Sequence, residues 1–126
     1  MESAIQEVYQ FLKKTGTYYL ATTDGDRPRV RPFGTIDLYR GRLYIQTGLS
    51  KPVAKQMLAN PHIEICAFDG TSWLRAEATA TRDADVAAED HMIAAYPELR
   101  GLYTPGDGNT AVFYLTDVCD VFCSFE

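Results

Sequence analysis

The sequence predicts a mainly β protein, namely an antiparallel barrel of six strands decorated by helices. Two observations support this prediction. Six segments are rich in β-branched and aromatic residues and are separated by turn residues at short spacing, whereas three segments carry the apolar spacing of a helix. A length of 126 residues is enough for one core, so we predict a single domain over residues 1–126.

The six predicted strands follow one another between turns. They cover residues 17–23, 28–36, 43–47, 63–68, 72–82 and 111–125. Pro28 and Pro32 restrict the second strand to an edge, a bulge or a strand start, because proline donates no ladder hydrogen bond. Residues 39–42 form a predicted hairpin turn, and Asp117 is expected to mark a bend or bulge in the last strand.

The fifth predicted strand alternates between two different faces. Trp73 and Arg75 begin a half-polar face, whereas Leu74 and Ala76 begin a face of apolar, mostly small residues. The second face suits close packing beneath another layer. The Trp–Arg face suits contact with a ligand or a second subunit.

Cap residues and apolar spacing predict three helices. The first is capped by Ser3 and ends at Gly16. The second lies between the third and fourth strands. The third is capped by Asp83 or Asp85 and extends to about residue 96, and a further short helical piece is expected within 98–103.

The start of the second helix has the features of a phosphate site. Ser50 is the predicted N-cap, and Pro52 suits the first turn, where backbone donors lack partners. Such a helix start presents free N–H groups and a positive dipole end, to which Lys51 and Lys55 add cations. The alternative is an ordinary capped surface helix with two solvated lysines.

Three arginines recur at every second residue of the second predicted strand. Arg27, Arg29 and Arg31 therefore point to the same side, and in an acidic protein such a group suits a small anion. The alternative is a solvated strand face.

Composition excludes several classes of partner. The net charge of −5 disfavours nucleic acids, and no apolar run reaches the roughly 18 residues that span a membrane. We expect no signal peptide. Cys66, Cys119 and Cys123 form an odd set without a Cys-x-x-Cys pair, so we expect reduced thiols and a cytoplasmic location. Cys119 and Cys123 are interpreted as small buried hydrophobic residues on one face of a strand.

Catalytic motifs are not evident in the sequence. His62 and His91 lack neighbours at metal-ligand spacing and are interpreted as structural or surface residues, so no metal site is predicted. No nucleophile elbow, zinc-protease motif or Walker loop is present. If the protein is an enzyme, its chemistry comes from a cofactor.

Several short segments of the chain occur in an order that resembles a known family. They are Arg29-Val30-Arg31-Pro32-Phe33, Gln46-Thr47-Gly48-Leu49-Ser50-Lys51-Pro52, Asn60-Pro61, Trp73-Leu74-Arg75-Ala76 and Val112-Phe113-Tyr114-Leu115. Together they resemble the small pyridoxamine 5′-phosphate oxidase-like flavoproteins, which have the FMN-binding split-barrel fold. The resemblance extends over nearly the whole chain and rests on the ordered set of segments.

The resemblance implies an intertwined homodimer with two FMN sites at the subunit interface. Strand arginines and the helix start would hold the phosphate, strand backbone and polar side chains would line the flavin ring, and Trp73 and Arg75 would come from the other subunit. The cofactor-binding residues that it implies are Arg29, Val30, Arg31, Pro32, Phe33, Gln46, Thr47, Ser50, Lys51, Lys55, Trp73 and Arg75.

The implied function is that of an FMN-dependent oxidoreductase or flavin reductase, which passes electrons between a reduced nicotinamide and a small acceptor. The Arg-x-His substrate motif of the biosynthetic vitamin B6 oxidases does not occur in the sequence. We therefore expect a different small-molecule substrate. The alternatives are a flavin carrier or sensor without turnover, or the same barrel holding haem or a deazaflavin.

Overall fold

The structure, a computed structural model, describes residues 3–125 and contains one antiparallel sheet with helices packed against it. The sheet order is β2-β1-β5-β6-β7-β4-β3. The strands are β1 (Tyr18–Asp24), β2 (Arg27–Phe33), β3 (Asp37–Tyr39), β4 (Arg42–Gly48), β5 (His62–Phe68), β6 (Ser72–Asp83) and β7 (Thr110–Ser124). The helices are α1 (Ala4–Thr15), α2 (Pro52–Ala59) and α3 (Val86–Ala95), and a 3₁₀ turn covers Pro97–Leu99.

The prediction of six strands was wrong, because the sheet has seven. The second predicted strand ends at Phe33 rather than at residue 36, and a separate short strand, β3, pairs with β4. The backbone between them is bonded to distant side chains. Tyr18 donates its hydroxyl hydrogen to the carbonyl of Thr35, and the Tyr96 hydroxyl bonds both the N–H and the carbonyl of Ile36 at 3.0 Å. These bonds replace the strand ladder at residues 35 and 36.

The inner face of the sheet forms the core together with α1 and α2. β6 alternates as predicted, with Leu74 and Ala76 buried and Trp73 and Arg75 on the opposite side. The predicted bulge in the last strand is also confirmed. Asp117 has a φ of 54°, and the pairing of β6 with β7 shifts register between Glu77 and Thr79.

The predicted N-cap is confirmed for two of the three helices, α1 and α3. Ser3 caps α1, because its hydroxyl accepts a hydrogen bond from the N–H of Gln6 at 3.2 Å. Asp85, and not Asp83, caps α3 through the N–H of Ala87 at 3.0 Å. Within residues 3–125, no helix is long and apolar enough to cross a membrane.

The opposite surface of the sheet is uncovered in the single chain. Tyr19 is 50% exposed, Phe68 54% and Val121 47%, which leaves large apolar side chains in water. Cys66 and Cys119 are exposed as well. The prediction that Cys119 is buried was therefore wrong, and Cys123 is only partly buried. We call this surface the outer face, formed by the outward side chains of β1, β5, β6 and the second half of β7, including Tyr19, Glu64, Cys66, Phe68, Trp73, Arg75, Glu77, Cys119 and Val121.

Candidate functional site

A cavity of about 300 Å³ lies where the ends of β2 and β4 meet the start of α2. Its volume is at the lower end of the range for small-ligand pockets. The segment after α3 closes one side. The lining residues are Arg31, Pro32, Phe33, Gly34, Thr35, Gln46, Thr47, Lys51, Val53, Leu99, Leu102 and Tyr103.

Gln46 brings an unpaired amide to this cavity. The residue is 6% exposed, and neither its side-chain nitrogen nor its side-chain oxygen has a hydrogen-bond partner among the described residues. Its backbone N–H, in contrast, donates to the hydroxyl of Thr35 at 3.1 Å. A buried polar group without a partner costs about 1–3 kcal/mol. The donor and acceptor groups of this amide are therefore not used by any described residue.

Arg31 is held in place from the opposite strand and from α2. Its guanidinium donates to the hydroxyl of Thr22 at 2.7 Å, to the side-chain carbonyl of Gln56 at 2.7 Å and to the carbonyl of Leu20 at 3.2 Å. Burial, and secondarily the neighbouring charge of Arg29, lower the pKa of Arg31 from its ordinary value. An arginine still remains cationic at neutral pH, and its unused N–H groups are available to an anion.

The turn that leads into α2 is built differently from the prediction. Ser50 is not the N-cap; Lys51 takes that position, and no side chain caps the helix. The N–H of Leu49 donates to the Asn109 carbonyl at 2.7 Å, the N–H of Ser50 to the Asn109 side chain at 3.1 Å, and the N–H of Lys51 to the Gly48 carbonyl at 3.0 Å. Of these three donors, only the N–H of Lys51 belongs to the helix start that the sequence predicts to be free for an anion. The exposed side chains of Ser50 and Lys51 remain available to an anion.

The structure gathers part of the predicted site in a single chain. The predicted residues that line the cavity are Arg31, Pro32, Phe33, Gln46, Thr47 and Lys51. The predicted residues outside the lining are Arg29, Val30, Ser50, Lys55, Trp73 and Arg75.

The residues outside the lining fall into two groups. Arg29 pairs with the exposed Asp24 at 3.4 Å, while Ser50 and Lys55 are exposed on the turn and on α2. Val30, which is 69% exposed, points to the same side of the sheet as Trp73 and Arg75. These three residues point away from the cavity of their own chain. A cofactor in that cavity can contact them only if they come from a second chain.

Sequence reasoning did not identify the wall contributed by Leu99, Leu102 and Tyr103. These residues lie in the segment predicted as a short helical piece, and only residues 97–99 form a 3₁₀ turn. Tyr103 packs against Gly48, where a Cβ atom would meet its hydroxyl at 3.2 Å and a ring carbon at 3.3 Å. Leu102 is 77% exposed at the rim, a position that the sequence alone does not reveal.

A larger, open groove of about 690 Å³ lies on the outer face. It is lined by Glu64, Glu77 and Asp117 among other residues and carries His62. Its carboxylates disfavour an anionic ligand, so we place the candidate site in the smaller cavity. His91 lies in neither; its Nδ1 is 2.6 Å from a carboxylate oxygen of the buried Asp37. Residues 3–125 contain no group of three His, Cys, Asp or Glu residues that suits a metal ion.

Comparison with protein families matches residues 4–116 to the family described as pyridoxamine 5′-phosphate oxidase. A NimC/NimA family protein from Clostridium acetobutylicum is 37% identical, with a TM-score of 0.95 over 98% of this chain and 89% of that chain. A search of curated proteins gave no match.

More distant structures share the fold alone. A pyridoxamine 5′-phosphate oxidase-related, FMN-binding protein from Nostoc punctiforme is 18% identical, with a TM-score of 0.67 over 98% of this chain and 87% of that one. HutZ, the haem storage protein from Vibrio cholerae, is 19% identical, with a TM-score of 0.67 over 90% of this chain and 92% of its own.

Proposed function

Because the chain belongs to the pyridoxamine 5′-phosphate oxidase family, we propose that it is a flavoprotein that binds FMN in the cavity between β2, β4 and α2. One observation carries the proposal. The cavity combines two cationic side chains, Arg31 and Lys51, with the unpaired amide of Gln46. FMN carries the complementary groups, namely an anionic phosphate and a flat ring whose edge both donates and accepts hydrogen bonds.

The residues present fit this cofactor at both of its ends. Arg31, Lys51 and the nearby Ser50 would hold the phosphate, since charge-assisted contacts are among the stronger hydrogen bonds. The backbone of residues 32–35 together with Gln46 and Thr47 would line the ring. The cationic side chains would therefore contact the phosphate, and the amide of Gln46 would contact the ring.

Haem is the second candidate, because a haem storage protein shares the fold. Haem iron needs an axial ligand such as His, Cys, Met or Tyr. Among the residues that line the cavity, Tyr103 alone is of these types. The side chains of the cavity therefore favour a flavin.

We further propose an oxidoreductase, in which the bound flavin exchanges electrons with a reduced nicotinamide and a small acceptor. The residues that line the cavity include no Asp, Glu, His or Cys. The chain would accordingly bind, orient and partly shield the cofactor, whose own chemistry transfers the electrons.

The proposed cofactor gives a direct test. Apoprotein titrated with FMN, riboflavin and haemin should bind FMN most tightly, with riboflavin weaker because it lacks the phosphate. Flavin fluorescence and the visible spectrum report each titration, and a deazaflavin is recognised by its different absorption. A chain that takes up haemin and no flavin would contradict the proposal.

Turnover distinguishes an enzyme from a carrier or sensor. Reduced nicotinamide, added without oxygen to the FMN-loaded protein, should bleach the flavin absorption within the time of an assay. Retention of the oxidised spectrum would identify the carrier function instead.

We also propose a homodimer in which the outer face is covered by a second copy of the chain. Exposed apolar side chains on an otherwise uncovered sheet support this, since such a surface favours association. A dimer would also explain how Trp73 and Arg75 reach a cofactor.

The dimer should be visible in its mass and in its thiols. Light scattering is expected to give about twice the chain mass of 14.1 kDa, and Cys66 and Cys119 should be alkylated much faster in urea than in the native protein. Val121→Arg should produce a monomer with reactive thiols, whereas the control Leu58→Arg, on the exposed side of α2, should not. A native monomer with freely reactive thiols would disprove the interface.

A further inference from the structure

Asn109 directly precedes β7 and contacts the turn that carries two of the proposed phosphate ligands. We propose that Asn109 is a positioning residue, which holds the turn of residues 48–51 so that the side chains of Ser50 and Lys51 face the phosphate. The inference rests on the proposed FMN site. It assigns a role to a residue that does not itself line the cavity.

Two hydrogen bonds join Asn109 to the middle of this turn. Its backbone carbonyl accepts from the N–H of Leu49 at 2.7 Å, and its side-chain oxygen accepts from the N–H of Ser50 at 3.1 Å. Its side-chain nitrogen is 3.1 Å from the position that a Cβ atom on Gly48 would occupy. The backbone and side chain of one residue therefore hold two successive turn residues, Leu49 and Ser50, by hydrogen bonds and lie close to Gly48.

The loop before Asn109 is itself ordered by two carboxylates. Asp107 accepts from the N–H groups of Thr110 at 2.7 Å, Asn109 at 2.8 Å and Thr104 at 3.0 Å, and these bonds hold the pKa of Asp107 well below its usual range. The buried Glu89 of α3 accepts from the N–H of Gly106 at 2.9 Å. These hydrogen bonds fix the position of Asn109. Asn109 can therefore determine the conformation of residues 48–51.

This arrangement predicts an effect on one end of the cofactor only. The contacts of Asn109 lie in the turn, whereas the proposed ring contacts come from the end of β2 and from Gln46. Loss of the Asn109 side chain should therefore weaken binding of the phosphate and leave binding of the ring unchanged. A merely structural role would weaken both ends together.

The test compares FMN with riboflavin in two matched variants. Asn109→Ala should lower FMN affinity about tenfold and change riboflavin affinity less than about twofold, so that the preference for FMN falls. Asn60→Ala is the control, because its side chain also accepts from a backbone N–H at 3.1 Å, but at the far end of α2. Asn60→Ala should keep the wild-type preference.

A second variant keeps the test decisive if Asn109→Ala does not fold. Asn109→Leu has nearly the shape of asparagine but cannot accept from the N–H of Ser50, so it should also lose FMN preference at unchanged riboflavin affinity. Wild-type preference in both variants, or in Asn109→Leu alone where the alanine variant is unfolded, would overturn the role of Asn109. A wild-type chain that binds neither flavin would overturn the proposed function itself, which is a separate result.

Discussion

The double variant Lys51→Ala, Arg31→Ala should bind FMN at least about 100-fold more weakly than the wild type, a loss of about 3 kcal/mol or more. Both cations line the cavity, and a charge-assisted hydrogen bond to phosphate contributes more than a neutral one. Riboflavin, which has no phosphate, should lose much less affinity. Fluorescence titration of the apoprotein with both flavins measures the difference.

The two substitutions act differently on the protein itself. Arg31 also bonds Thr22 and Gln56, so its removal should lower the free energy of unfolding by about 1–3 kcal/mol. Lys51 is exposed and forms no salt bridge among the described residues, so Lys51→Ala should leave stability nearly unchanged. The single Lys51 variant is therefore the cleaner probe of phosphate binding.

Lys55→Ala is the matched control for Lys51→Ala. Lys55 is exposed one turn further along α2 and does not line the cavity. It should lower FMN affinity only through long-range charge, and less as salt is added. Equal losses in the two variants would show that general charge, rather than a contact from Lys51, attracts the cofactor.

Periodicity and turn residues were sufficient to predict most of the fold. The alternation of β6, the bulge at Asp117 and the cap at Ser3 each depend on residues close in the sequence. The additional strand β3 was missed because the backbone at Ile36 is bonded by Tyr96, a residue 60 positions away. A hydrogen bond between residues so far apart cannot be predicted from a local sequence pattern.

The candidate site shows the same limit. Arg31 and Lys51 were predicted from strand alternation and from the helix start, and both line the cavity. The capping role of Ser50 was wrong, because the helix begins one residue later with Lys51 at the N-cap position. The N–H of Ser50 instead donates to Asn109, 59 positions away. Cys119 was misjudged for a related reason, since it looks like a core residue in the sequence although a single chain leaves it uncovered.

Gln46→Leu should make the apoprotein more stable and the flavin complex weaker. The amide of Gln46 is buried without a partner, so an apolar side chain of similar size removes a cost of about 1–3 kcal/mol. The same change removes hydrogen bonds to the ring, so FMN and riboflavin should both bind about tenfold or more weakly. Urea unfolding of the apoprotein and flavin titration measure the two effects.

Gln56→Leu is the control that separates an unpaired amide from a paired one. The side-chain carbonyl of Gln56 accepts from Arg31 at 2.7 Å and from Thr22 at 2.6 Å, so its loss should destabilise the apoprotein. If Gln46→Leu destabilised the apoprotein to the same degree, the Gln46 amide would have partners in the free protein. The Gln46 amide would then no longer be evidence for a ligand. A buried polar group whose only partner is the cofactor must destabilise the protein while the cofactor is absent.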